Sequence, residues 1–141
     1  MDETASLCIA ATVENLSRMR SFVDEAATHM GAASDCTANM VLAMDEAATN
    51  IILHGYCNEP GCIEIEVAYK DDTLMVTLRD EAPLFDPRLV PEPCIDLPLD
   101  KRPLGGLGVY IMRHLTDELR YRVTANGKNE LTLVKKDLSE W

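Results

Sequence analysis

The chain has 141 residues, 47% of them hydrophobic, and its 24 acidic against 13 basic side chains give a formal net charge of −11. That length fits one domain with a core of its own, and the charge repels a phosphate backbone, which excludes non-specific binding to nucleic acid or an anionic membrane. A bound phosphate would need local help from backbone amides, a few placed cations or a metal. The start, MDETASLCIAATVENL, has acidic residues where a signal peptide has basic ones, and no apolar stretch reaches the roughly 18 residues of a membrane span. The expectation is a soluble, cytoplasmic protein. Cys8, Cys36, Cys57, Cys62 and Cys94 form no C-x-x-C and no metal-ligand spacing with His29, His54 or His114, so reduced thiols are expected rather than a disulfide framework or a zinc site.

Taken in chain order, the short apolar run Leu7 to Thr12 suits a strand. Val13, Leu16, Met19, Phe22, Val23, Ala26 and Met30 then recur at helical spacing, which predicts an amphipathic helix ended by Gly31. A second helix is expected to start after Ser34 as N-cap and to run through Met40, Met44, Ala47 and Ile51 to a stop at Gly55. CIEIEVAYK and TLMVTLRD alternate with period 2 about Asp71 and Asp72, the pattern of a β-hairpin with Ile63, Ile65 and Val67 on its buried face. From Glu81 to Pro103 the chain holds six of its seven prolines and no period survives, so an irregular, functional segment is expected there. GGLGVYIMRHLTDEL resumes a helix, and ELRYRVTA and NELTLVKK flank Asn126 and Gly127 as a second hairpin. Strand, helix, helix, hairpin, loop, helix, hairpin fits an α+β two-layer sandwich, with helices on one face of a mixed, mostly antiparallel sheet, over a single domain of residues 1–141.

Three stretches could carry chemistry. Glu46 and Asn50, four residues apart, share one face of the second helix, away from Met40, Met44, Ala48 and Ile51. Periodicity alone leaves them either a solvated stripe or a pair of oxygen donors suited to a hard cation such as Mg²⁺ and to proton transfer. In LGGLGVYIM, glycines would let the backbone approach a ligand, and the helix that follows would present free N–H groups to an anion. The stretch lacks the Lys-Ser/Thr of a P-loop. Asp80 ends an apolar strand where the chain turns irregular, placed either to cap a turn or to accept a hydrogen bond from an amine such as the adenine N6.

In this order, MDEAATNIILHGY, RDEAPLFDP and GGLGVYIMRHLTDELRY resemble the three boxes of the GHKL ATPase superfamily with its Bergerat nucleotide-binding fold, and in particular the stand-alone anti-sigma factor serine kinases. The resemblance covers nearly the whole chain. It implies ATP and Mg²⁺ as cofactors, with Glu46 as general base toward the attacking hydroxyl and Asn50 as the Mg²⁺ ligand. It also implies Asp80 as reader of the adenine amine, and Gly105, Gly106, Leu107 and Gly108 as the turn that wraps the phosphates. Thr132 matches a late threonine that helps hold the adenine side, and Lys101 and Arg102 stand where they could neutralise phosphate from a lid of about residues 81–104. The chain departs from the pattern at Ala82, where a glycine usually leaves bare backbone for the adenine to lie against. The activity implied is phosphorylation of a serine on a small anti-sigma factor antagonist, with a sigma factor as the other partner and a homodimer as the assembly. Two other readings stay open: a nucleotide-gated binding module without phosphoryl transfer, and an α+β binding domain that meets no nucleotide.

Overall fold

In the computed structural model, which describes residues 3–89 and 106–137, a five-stranded sheet carries three α-helices. The strands are β1 (Glu3–Ala10), β2 (Cys62–Lys70), β3 (Thr73–Asp80), β4 (Glu118–Val123) and β5 (Asn129–Lys136). The helices are α1 (Leu16–His29), α2 (Ser34–Asn50) and α3 (Gly106–Leu115). The sheet order is β1-β2-β3-β5-β4, and every pairing is antiparallel. The expected mixed sheet is therefore corrected. The crossover through α3 does return β4 in the direction of β3, but β5 lies between them and pairs with both in the opposite sense.

Local chemistry explains the boundaries. Asp71 and Asp72 both adopt positive φ, 51° and 57°, which is the twist a two-residue hairpin between β2 and β3 demands. Gly31, at φ 98°, donates its N–H to Thr28 O and closes α1. The first strand begins earlier than its apolar run and ends at Ala10, because Glu3 to Ala10 pairs residue by residue with Tyr69 to Cys62. Ser34 is the first residue of α2 rather than its cap. Extended Ala33 holds the cap position, and its N–H donates to Asp137 Oδ2 at 2.9 Å. Beyond Asn50 the helix continues as a π-turn, Ile51–Gly55, with Tyr56 N–H donating to Ile51 O at 2.8 Å. Such turns widen a helix by one residue and often stand at functional sites.

Between sheet and helices, Met19, Val23, Met40, Met44 and Ile52 from the helical layer meet Ile63, Ile65, Val67, Leu74, Val76, Leu78 and Leu133 from the sheet, all fully buried. Each contributes about 1.5–3 kcal/mol by leaving water, which is what fixes α1 and α2 on this one face. The other face is polar. Arg79 there bridges Glu64, Glu66 and Glu130, and Arg122 reaches Glu130 as well. Among the described residues no helix is long and apolar enough to cross a membrane.

Candidate functional site

Glu46 and Asn50 lie one turn apart on α2, each half-buried. The helical wheel sets them away from the core, yet α3 packs over that side of α2 and takes them out of bulk water. The closeness is measured at Gly108, where an added Cβ would stand 3.0 Å from Glu46 Oε1, 3.4 Å from Asn50 Nδ2 and 3.5 Å from Asn50 Oδ1. Both polar side chains thus rest against the backbone of the first turn of α3, whose N–H groups have no partner within the helix. Burial, and secondarily the neighbouring Asp45 charge, pushes the Glu46 carboxyl above its ordinary value. Asp45 is itself held by Arg20 at 2.9 Å. A carboxylate with a raised proton affinity is the better general base.

Next to this pair opens a cavity of about 340 Å³. Asn50, Ile51, His54 and Gly55 line one side, Asp80, Ala82 to Phe85 and Pro87 another, and Ala47, Met112, Tyr121, Asn129 and Leu131 the rest. Its polar centre is Asp80, 5% exposed at the end of β3. Asp80 Oδ1 accepts hydrogen bonds from Asn129 Nδ2 and from Ala82 N–H, both at 2.9 Å. Burial raises the Asp80 carboxyl above its ordinary value, and these two bonds oppose the rise.

Asn129 does more than touch Asp80. Its Nδ2 also reaches Ala82 O at 3.1 Å and Pro83 O at 3.3 Å, while its Oδ1 accepts from Phe85 N–H at 3.0 Å and Tyr121 OH at 2.5 Å. The first residues after β3 are held from the other side by Tyr56, whose hydroxyl accepts from Glu81 N–H at 2.8 Å and donates to Cys62 O at 2.9 Å. A side chain at Gly61 would overlap the Tyr56 ring, so glycine is needed there. Further along, Arg113 of α3 donates to the carbonyls of Pro87 and Arg88.

The fold brings Glu46, Asn50 and Gly108 together, and it places Asn50, Asp80 and Ala82 around one cavity. Ala82 is 6% exposed and is not among the residues of positive φ, so its methyl sits on an ordinary backbone. That methyl presses against Gly55, where an added Cβ would come within 3.1 Å of it. Gly106 and Leu107 are the first two residues of α3. Lys101, Arg102 and Gly105, with most of the expected lid, lie outside the described residues.

Thr132 does not belong with this group. It pairs with Thr77 across β3 and β5, their hydroxyls 3.1 Å apart, on the sheet face that carries Arg79 and Glu130. Strand alternation sends Asn129, Leu131 and Leu133 to the opposite face, so Asn129 takes the place beside Asp80 that the resemblance gave to a threonine. Asn129 and His54 both line the cavity, though neither stands in one of the three sequence stretches that could carry chemistry as a candidate ligand. The signal for Asn129 was its even spacing from Leu131 and Leu133, two leucines that had to be buried.

The donor set fits a nucleotide and a Mg²⁺ carried by its phosphates. No group of three or more His, Cys, Asp or Glu that could hold a metal occurs among the described residues. One amide oxygen at Asn50 with Glu46 nearby suits Mg²⁺, which keeps phosphate and water ligands and needs few from protein. An apolar slot with one buried acceptor suits a planar base.

Comparison with known proteins gives the family. Residues 9–135 match the histidine kinase-like ATPase domain family. Serine-protein kinase RsbW of Bacillus cereus is 31% identical over 122 residues, which span 84% of this chain and 76% of that protein. The protein of the same name from Bacillus thuringiensis subsp. konkukian gives the same figures. The crystal structure of the RsbU and RsbW domains of Rv1364c from Mycobacterium tuberculosis superposes with a TM-score of 0.67 at 19% identity, a likeness of fold that covers 95% of this chain and 32% of that one. The chain therefore belongs to the histidine kinase-like ATPase family, alongside the RsbW serine-protein kinases.

Proposed function

We propose that this chain is an ATP-dependent protein serine kinase that phosphorylates a small anti-sigma factor antagonist, and that it also holds a sigma factor when the antagonist does not compete. The observation that carries the reading is the meeting of Glu46 and Asn50 on the backbone of Gly108, at one side of a cavity whose buried acceptor is Asp80. A nucleotide lying across that space has its base at Asp80 and its phosphates at the first turn of α3.

In the reaction, the Glu46 carboxylate takes the proton of the attacking seryl hydroxyl. The seryl oxygen bonds to the γ-phosphorus of ATP, the bond to the β,γ-bridging oxygen breaks, and ADP leaves with that electron pair. Free N–H groups of α3 stabilise the charge on the transferred group. Mg²⁺, held by Asn50 when bound, supplies charge neutralisation across the phosphates. The raised proton affinity of Glu46 suits it to this task at neutral pH. The protein acts in the cytoplasm, as a homodimer.

The test is to incubate the chain with Mg-ATP and a small antagonist protein encoded beside it, and to analyse the antagonist for phosphoserine. Stoichiometric phosphoserine is expected. Tight ATP binding with no transfer would replace the kinase by a nucleotide-gated binding module, and the absence of any ATP binding would sink both.

A further inference from the structure

We propose that Asn129 is a positioning residue that makes the site choose adenine over guanine, by occupying Asp80 Oδ1 so that a single carboxylate oxygen remains for the base. The inference rests on Asp80 being the group that meets the nucleobase. Adenine offers a carboxylate one amine at its N6 edge. Guanine offers N1–H and N2–H side by side, a pair of parallel donors that two free carboxylate oxygens accept together. At Asp80 that double acceptance is closed off, because Oδ1 already accepts from Asn129 Nδ2 and from Ala82 N–H, each at 2.9 Å. Asp80 Oδ2 has no hydrogen-bond partner among the described residues, and it belongs to a residue that lines the cavity.

The direction of the Asn129 amide is fixed by groups that can act in only one sense. Phe85 N–H can only donate, so the atom 3.0 Å from it is the oxygen. The carbonyls of Ala82 and Pro83 can only accept, so the atom at 3.1 and 3.3 Å from them is the nitrogen. With the amide 5% exposed and tied at both ends, it cannot turn its oxygen toward Asp80 without losing these bonds. A guanine that enters must leave one of its donors without a carboxylate partner beside the buried Asp80 and Asn129, and sites built on buried polar groups reject a mismatched hydrogen-bonding edge strongly.

The experiment measures Mg-ATP and Mg-GTP binding to the full chain by displacement of a fluorescent nucleotide. Wild type is expected to prefer ATP by at least about 100-fold, a ratio in the range that lost hydrogen bonds produce. Asn129→Ala should shrink that ratio by tenfold or more. Asn129→Asp sets two carboxyls in contact, which share one proton when they can. Its ATP preference should be close to wild type at acidic pH and collapse as the shared proton leaves, with wild type measured beside it at every pH so that the titration of Asp80 common to both is accounted for. If both variants bind ATP more weakly while keeping the wild-type ratio at every pH, Asn129 only supports the fold and the proposal is wrong. Should Asn129→Ala lose its cooperative melting, the Asn129→Asp series decides, and a ratio indifferent to pH overturns the proposal. Failure of wild type to bind ATP at all is a different result, and it removes the nucleotide reading itself.

Discussion

Replacing Gly108 by alanine should separate the chemistry of the site from the stability of the fold. Gly108 is the third residue of α3 and has no positive φ, so alanine fits the backbone. On helix propensity alone the change stabilises by about 0.8–1.0 kcal/mol. Against this stands the new methyl, 3.0 Å from Glu46 Oε1 and 3.4 to 3.5 Å from the Asn50 amide. Those atoms are the ends of side chains, so they can swing aside at a cost similar to the gain. Net stability should stay within about 1 kcal/mol of wild type, a shift of roughly 4 °C or less in Tm for a chain of this size. The function should not survive so well, because the two groups that move are the proposed base and the proposed metal ligand. The methyl asks those side-chain ends to give by a few tenths of an ångström, and with a displacement of about 1 Å worth on the order of 10²-fold in rate, a several-fold loss is expected. Thermal melts read the first quantity, and phosphoryl transfer to the antagonist at saturating Mg-ATP reads the second. A Gly108→Ala protein that transfers phosphate at the wild-type rate would refute the idea that Glu46 and Asn50 work from their position on α3.

Asp80→Asn should raise stability while it removes nucleotide binding. Burial raises the Asp80 pKa in the folded chain, so the folded state holds the proton more tightly than the unfolded one. Stability then falls as pH rises from the unfolded value through the folded value, and the full penalty persists at neutral pH. Asparagine keeps an oxygen for Asn129 and Ala82 N–H without the charge, so the variant should melt higher at pH 7, with the advantage shrinking as pH falls through the folded value and gone by about pH 4, where the unfolded carboxyl is protonated too. Melting curves across pH check this, and a variant less stable than wild type at pH 7 contradicts it. Gly55→Ala should destabilise by about 1 kcal/mol through its contact with the Ala82 methyl, and Ala82→Gly in the same chain should restore most of that loss. Urea titrations of the two single variants and the double variant measure the coupling, and simple additivity would show that the methyl is not the obstacle.

Much of the fold could be read from periodicity, because its strongest signals are local. The hairpin of β2 and β3 has the ends its alternation predicts, and two aspartates take the positive φ values that its turn requires. Glu46 and Asn50 were harder. A helical wheel shows one apolar face of α2 and cannot show that a later helix covers another. Asp80 stood out as a charge at the end of an apolar strand. The resemblance gives Thr132 the place that Asn129 takes, because that place depends on the register of β5 against β3, which pairs Asn129 with Asp80 and is set across almost fifty residues of chain. Alternation from the buried Leu131 and Leu133 would have put Thr132 on the outer face, but nothing local says which partner lies opposite. The π-turn after Asn50 and the Tyr56 bridge likewise come from packing between distant segments, where propensity is silent.

Phosphoryl transfer by Glu46→Gln, compared with wild type in the same preparation, bears most directly on the kinase mechanism. Glutamine keeps the size and hydrogen-bonding reach of the side chain but cannot take the seryl proton. The expected result is Mg-ATP affinity within a few-fold of wild type, with phosphoserine formation on the antagonist slowed by 10²-fold or more, the scale of a lost general base. A Glu46→Gln protein that phosphorylates the antagonist at the wild-type rate would contradict Glu46 as the base.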